Sequence, residues 1–465
     1  MSARTSIMAV VAREVLDSRG TPTLEVEIQL EGGLAAWASA PAGTSLAKGE
    51  PGERRDGDSR RYRGHGMRQA VETVTRVVAP ALRGLDAQDQ ARIDGVLRSL
   101  DGAAGPAGVG GNVLISTSLA VARAAAFVRG RPLYRHLGDD GACTLPVPLL
   151  NLVDGGTHAP GAVAFEEFMI APYGAGRLAE ALRMAVETRW ALRDLLAEAR
   201  CPTVVGEEGA FTPSLRTPEA VCHFLVRAIE RAGYVPGEEI GLAVDVAAGA
   251  LQHRGHYVFD GWGGPRRSTA QTIRYYEWLA RLFPIVLIED GLDEDDRAGW
   301  RDLTQKLGAT VHLAGDDLFA TSPARLRDGI RDGLANAVVV KPNQAGTLSD
   351  TLETIRAARA AGYAVIVSHR SGETEDTFIA DLAVAVGSEW IKAGAPCRTD
   401  RTAKYNRLLR IEDRLGPRAR FHGRAVRHPR AEARREGGEA GDATASGAGG
   451  SGTGIGASCT KPTSR

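Results

Sequence analysis

The sequence predicts an α/β protein, with an N-terminal α+β domain followed by a β/α barrel. Two observations carry that reading. From Gly241 to Pro396 short apolar runs recur, each stopping on a charged residue, with helical segments between them. GLAVD ends on Asp245, PIVLIED carries Glu289 and Asp290, and TVHLAGDD carries Asp316 and Asp317. AVVVK ends on Lys341, AVIVSHR on His369 and Arg370, and EWIK on Lys392. Runs of Val, Ile and Leu without polar alternation suit strands buried on both faces, as in a parallel sheet. Strand–helix alternation repeated this often predicts a closed barrel, whose functional groups sit at the C-terminal strand ends. The start of the chain instead alternates. In TPTLEVEIQLEGG, Leu24, Val26, Ile28 and Leu30 share one face, Gly32-Gly33 makes a turn, and LAAWASA supplies the partner strand. An antiparallel sheet is therefore expected first.

A polar loop from Pro41 to His65, dense in Gly and charge, reads either as a solvated loop or as a lid. Helical segments follow, including Gly111 to Val128, with apolar residues at near-helical spacing. LPVPLLN, residues 145–151, reads as the strand that begins a second domain. DGGTHAPGAVAFEEFMIAP then gives a Gly-rich loop and a strand bearing Glu166 and Glu167. A long amphipathic helix is expected from about Arg177 to Arg200, and TVVGEEGAF reads as another short apolar run ending on Glu207 and Glu208. After Arg424 the chain turns polar and basic, then Gly-, Ala- and Ser-rich, with almost nothing to bury. The expected division is 1–138, 139–424 and a disordered tail, 425–465.

Length and composition fit this organisation. The 465 residues exceed one ordinary domain. Zero formal net charge excludes partners recognised by bulk charge, such as nucleic acid or an anionic membrane. The N-terminal apolar run is too short for a signal peptide, and nothing later is expected to span a membrane. The five cysteines are scattered, with no CxxC pair, and read as reduced thiols of a cytoplasmic protein.

The strand-end residues suggest chemistry. Asp245, Glu289 and Asp316 offer oxygen-only ligation, which suits Mg²⁺; the alternative is an acidic rim held by arginines. Lys341 and Lys392, close to each other and to a metal, would disfavour their own protonation and so suit a general base; the alternative is a pair of structural ion-paired lysines. Arg370 and Ser371 form a reasonable grip for phosphate, and Glu167 with Glu208 a candidate acid pair. Together these groups suggest proton abstraction beside a metal-bound carboxylate, then loss of a leaving group.

SHRSGETEDTFIADL, residues 368–382, resembles the signature of enolase, the glycolytic 2-phosphoglycerate dehydratase. AREVLDSRGTPTLEVE, LPVPLLNLVDGGTHA, GEEGAF, IEDGLDEDD, GDDLFAT, VVKPNQAGT and IKAGAPCR resemble further motifs of that family, in the family's order. The resemblance runs from about Ile7 to Gly423 and implies an enolase-type barrel whose first strands depart from strict alternation. By position it implies Lys341 as the base for the C2 proton and Glu208 as the acid that helps expel the C3 hydroxyl, with Glu167 beside it. It implies Asp245, Glu289 and Asp316 as ligands of the tighter Mg²⁺, Lys392 at the substrate carboxylate, and Arg370 and Ser371 at the phosphate. His158 and His369 match active-site histidines, the former on a closing loop, and Glu25 with Arg410 a salt bridge across a dimer interface. The implied partners are a small phosphorylated hydroxy acid and a second copy of the chain, in a homodimer or higher oligomer. The family's lid SGASTG is here Ala42-Gly43-Thr44-Ser45-Leu46-Ala47, so the serine that holds a second Mg²⁺ is Ala42. Glu207, Ala210, Gly291 and Asp154 also depart from the family's residues. The leading expectation is conversion of 2-phospho-D-glycerate to phosphoenolpyruvate and water. The alternatives are an enolase-like dehydratase of phosphonate-antibiotic biosynthesis forming carboxyphosphonoenolpyruvate, and a non-catalytic binding protein on the same fold.

Overall fold

Alternation does build the opening sheet. In the computed structural model, which describes residues 5–43, 47–103, 108–160, 162–259 and 266–427, strands β1 (Ile7–Leu16), β2 (Pro22–Leu30) and β3 (Ala35–Ser39) form an antiparallel meander. Leu24, Val26, Ile28 and Leu30 of β2 are buried on one face, and helix α1 (Gly111–Val128) packs against β2 and β3. By length and composition α1 could cross a membrane, contrary to the expectation that no segment could. Nearly all its residues are buried within the protein, and a helix apolar on every side is what a core position needs.

The apolar runs are the barrel strands. They are β4 (Val147–Asp154), β5 (Glu167–Ala171), β6 (Gly241–Asp245), β7 (Ile285–Glu289), β8 (His312–Gly315), β9 (Ala337–Val340), β10 (Ala364–Ser368) and β11 (Trp390–Lys392). These eight strands close in chain order. Every residue of β6, β9 and β10 is buried, as unbroken apolar runs require. β5 runs antiparallel to both β4 and β6, whereas the pairs β6–β7, β7–β8, β9–β10 and β10–β11 are parallel. The barrel thus opens with an antiparallel hairpin, the departure that the resemblance implied.

Helices occupy the intervals. The expected amphipathic helix is α2 (Leu178–Glu198), followed by α3 (Pro218–Arg231) and α4 (Thr269–Leu282). Thr217 caps α3 by accepting from the Ala220 N–H, with Pro218 as first helical residue, and Ser268 with Gln271 forms a capping box on α4. TVVGEEGAF is not a strand. Val204 is 65% exposed there, and only an isolated bridge joins Val205 to Phe211, because Gly206 and Gly209 turn the chain between them. Residues 423–426, at the edge of the expected tail, form a short 3-10 turn, and the Val426 carbonyl accepts from His312 Nε2 at 2.8 Å. Residues 428–465 of that tail lie outside the described residues, as do lid residues 44–46.

Contacts group the chain into two compact units. The first comprises Met1–Pro148, Gly315–Arg331 and Ala337–Phe421; the second Leu149–Ala314, Asp332–Asn336 and the residues from His422 onward. In the first unit a buried ion pair joins distant segments. Arg123 of α1 donates to both oxygens of Asp376 at 2.5 and 2.6 Å, and the Ser39 and Phe378 N–H groups donate to the same carboxylate. Burial alone would raise the Asp376 pKa, but the Arg123 charge and hydrogen bonds and the two backbone N–H groups hold it below the usual carboxylate range. A depressed carboxylate stabilises the fold above its unfolded pKa, near 4, and that contribution is lost as pH falls through the folded value. Arg123→Met should therefore destabilise the protein by about 3–5 kcal/mol at neutral pH, since it strands a buried charge. Urea unfolding should show that loss shrinking as the solution is acidified below pH 4.

Candidate functional site

Two groups of side chains, one in each compact unit, carry the residues expected to be functional. In the second unit the carboxylates form a row. Glu167 of β5 pairs in register with Asp245 of β6, which pairs with Glu289 of β7. All of them are buried. The regular backbone stops just beyond this row, where Ala247 and Asp290 take left-handed conformations and the Ala247 N–H donates to Asp245 Oδ1 at 3.1 Å. Positive φ in such residues is uncommon and costs strain.

The Gly-rich loop after β4 brings His158 into a carboxylate cluster. Its Nδ1 lies 3.8 Å from Glu167 and 4.0 Å from Asp154, and its Nε2 lies 3.7 Å from Glu166 and 3.9 Å from Glu208. Asn151 donates to Asp154 at 2.7 Å, and Thr157 donates to Glu166. Gly206 leaves room for Asp154, whose Oδ2 would lie 2.3 Å from a β-carbon there. His158, Glu167 and Glu208 offer ligand atoms within 4.8 Å of one another, a set that could hold a metal. Burial disfavours the imidazolium, but the surrounding Glu208, Glu166, Glu167 and Asp154 outweigh it and raise the pKa to about 9.

In the first unit the charges converge on Asp316, just after β8. Lys341, just after β9, donates its Nζ proton to Asp316 Oδ2, and Gln344 Nε2 approaches Oδ1 at 3.3 Å. Thr321 Oγ1 accepts from the Lys341 N–H at 2.9 Å and donates to Gln344 Oε1 at 2.7 Å, which fixes the backbone around the lysine. Burial would raise the Asp316 pKa, but Lys341, then Lys392 and Arg370, pull it below the usual carboxylate range. Lys341 and Lys392 therefore share an acidic neighbour. His369, Arg370 and Ser371 follow β10 directly.

The loop from Pro41 to His65 meets this group. Ala42 and Gly372 exchange backbone hydrogen bonds at 2.8 and 2.9 Å, and Arg19 Nη2 also donates to the Ala42 carbonyl at 3.2 Å. Both lone pairs of the Ala42 carbonyl are thus engaged. Glu50, whose side chain is 2% exposed, accepts from Arg370 Nη1 at 2.6 Å and from the Ala47 N–H at 3.2 Å, so the loop places a carboxylate on the expected phosphate grip. Sequence reasoning did not find Glu50, which lies 320 positions from Arg370 in a charge-dense stretch with nothing to distinguish it. It also passed over Gln344, although the VVKPNQAGT motif contains it.

Fold and site define a β/α-barrel protein whose buried acidic clusters suit a metal ion. Residues 7–137 match the family model described as the enolase N-terminal domain, and residues 142–430 that of the enolase C-terminal TIM barrel domain. The chain belongs to the enolase family, whose members usually bind a metal.

The raised His158 pKa sets a pH dependence. An imidazole whose folded pKa exceeds its unfolded value of about 6.5 contributes stability fully below that value, and the contribution is lost as pH rises through about 9. The stability difference between the wild type and His158→Gln should be largest near pH 6 and should fade by pH 10, as measured by urea unfolding. A difference that does not change with pH would remove the carboxylate cluster as its cause.

Proposed function

We propose that the protein is a Mg²⁺-dependent hydro-lyase that dehydrates 2-phospho-D-glycerate to phosphoenolpyruvate. The observation that carries the reading is the ion pair of Lys341 with buried Asp316, which puts an expected base on an expected metal ligand. Asp245, Glu289 and Asp316 fit the metal by chemistry, being buried carboxylates, and a hard cation favours oxygen donors. A cation held there would stabilise the second negative charge that develops on the substrate carboxylate and would take over Asp316 from the Lys341 ammonium.

The chain's own groups divide the remaining work. Neutral Lys341 accepts the C2 proton at Nζ. Glu208, with Glu167 beside it, gives a proton to the C3 oxygen as the C3–O bond breaks, so hydroxide leaves as water. Lys392 faces the substrate carboxylate, and Arg370 and Ser371 hold the phosphate. His158 and His369 complete the enclosure.

A second reading has an observation in its favour. Ala42 lacks the family serine's hydroxyl, and its carbonyl is already bonded to Gly372 and Arg19. A looser second-metal site suits a phosphonate relative of phosphoglycerate, giving carboxyphosphonoenolpyruvate by the same proton transfers. A homodimer belongs to the proposal on the strength of the resemblance, and a cytoplasmic location on the reading of the cysteines as reduced thiols, as Cys143, Cys222 and Cys397 are. Within the chain, Glu25 already accepts from Arg13 at 2.8 Å.

Isotope exchange tests the division of labour. Lys341→Ala should stop exchange of the substrate C2 proton with solvent. Glu208→Gln should keep measurable exchange while dehydration falls by roughly 10²–10⁴-fold, the usual range for a general acid. Exchange at the normal rate in Lys341→Ala would mean that another group is the base.

A further inference from the structure

Helix α5 (Thr399–Leu415) carries one fully buried guanidinium, that of Arg401. It holds three consecutive residues after β10. Arg401 Nη1 bonds to His369 Nδ1 and donates to the Arg370 carbonyl at 2.6 Å, while Nη2 donates to the Ser371 carbonyl. Arg370 and Ser371 are expected at the substrate phosphate and His369 is an expected active-site histidine, yet Arg401 is in none of the sets read from the sequence.

A guanidinium has five N–H donors, no acceptor, and no accessible neutral form. A ring nitrogen facing it must therefore present a lone pair. We infer that Arg401 is a positioning residue that fixes His369 as the neutral tautomer, with Nδ1 as acceptor and the proton on Nε2. His369 then serves its site as an Nε2–H hydrogen-bond donor and is not a reservoir of a second proton. The charged groups around the ring agree with this. Arg401 faces it from α5 and Arg370 adjoins it in the chain, while the Asp400 carboxylate lies 2.7 Å from Arg401 Nε.

The packing supports the arrangement independently. Gly394, two residues after Lys392, has φ +80°, and a β-carbon there would lie 2.8 Å from Arg401 Cδ and 3.2 Å from His369 Cε1. The absent side chain is what lets guanidinium and imidazole meet. The His369 N–H also donates to the Lys392 carbonyl at 2.9 Å, and Tyr405 donates to the Gly394 carbonyl at 2.7 Å. Backbone and ring are thus held before any ligand arrives, and groups placed in advance lose little on binding.

The role of His369 toward substrate rests on the dehydratase reading, whereas its tautomer does not. The test is therefore spectroscopic first. The full chain is labelled with ¹⁵N-histidine, and the His369 signals are assigned by their loss in His369→Gln. At neutral pH the expected spectrum has an unprotonated Nδ1 and a protonated Nε2. A proton on Nδ1, or on both nitrogens, overturns the inference, whether or not the protein turns over any substrate. Arg401→Met removes the donors, so the fixed pattern should give way to a mixture of tautomers. The KM for 2-phosphoglycerate should rise roughly tenfold or more, with a smaller change in kcat. An unchanged tautomer in a folded Arg401→Met protein also overturns the inference. If that variant does not fold, the wild-type spectrum decides alone. If neither phosphoglycerate nor its phosphonate relative turns over, the functional reading falls while the spectrum still reports the tautomer.

Discussion

Charge taken out of water must be paired, solvated by fixed dipoles, or held for a ligand, and the strand ends of this barrel are organised by that constraint. Asp245, Glu289, Asp316, Lys392, His369 and Arg370 are all buried. Asp316 is met by Lys341 and Gln344, Arg370 by Glu50, and His369 by Arg401. His158 stands among four carboxylates that keep it charged. A barrel built only for stability would put apolar side chains at these positions, since breaking even one such pair is expensive. The charged ligand proposed above would complete these groups.

The loop between Pro41 and His65 adds a second consequence of the same constraint. The sequence leaves it open as a solvated loop or a lid. Glu50 and Ala42 show what its described part does, tying it to Arg370 and Gly372 by an ion pair and a backbone bridge. The anionic substrate proposed above would compete with Glu50 for the same guanidinium. The loop is thereby linked to the charge that Arg370 meets, a coupling that needs no serine at position 42.

The strands were legible because burial on both faces leaves a plain mark. GLAVD, AVVVK and AVIVS admit no polar residue until the strand ends, so their lengths and final charges could be read directly. TVVGEEGAF carries a similar mark but forms no strand, since its valines sit beside two turn glycines and Val204 faces solvent. The antiparallel course of β5 was not legible from alternation, because strand direction depends on the connection and not on the strand. The expected site residues stood out in the sequence because they lie at strand ends or in motifs. Glu50 and Arg401 were missed for the opposite reason. Each acts through a partner far away in sequence, 320 positions for Glu50 and 32 for Arg401 in its bond to His369. An ordinary charge on a loop or helix announces nothing until the fold brings its partner to it.

The central claim is that the buried strand-end charges form a metal-dependent site for a phosphorylated hydroxy acid. The most direct measurement is steady-state turnover of 2-phosphoglycerate and its phosphonate relative side by side, followed by the rise of enol absorbance, with Mg²⁺, with excess chelator, and with Mg²⁺ restored. The account predicts turnover of at least one substrate with Mg²⁺, its loss in chelator and its recovery on adding the metal back. Undiminished turnover in chelator, or no turnover of either substrate by folded protein saturated with Mg²⁺, would contradict it.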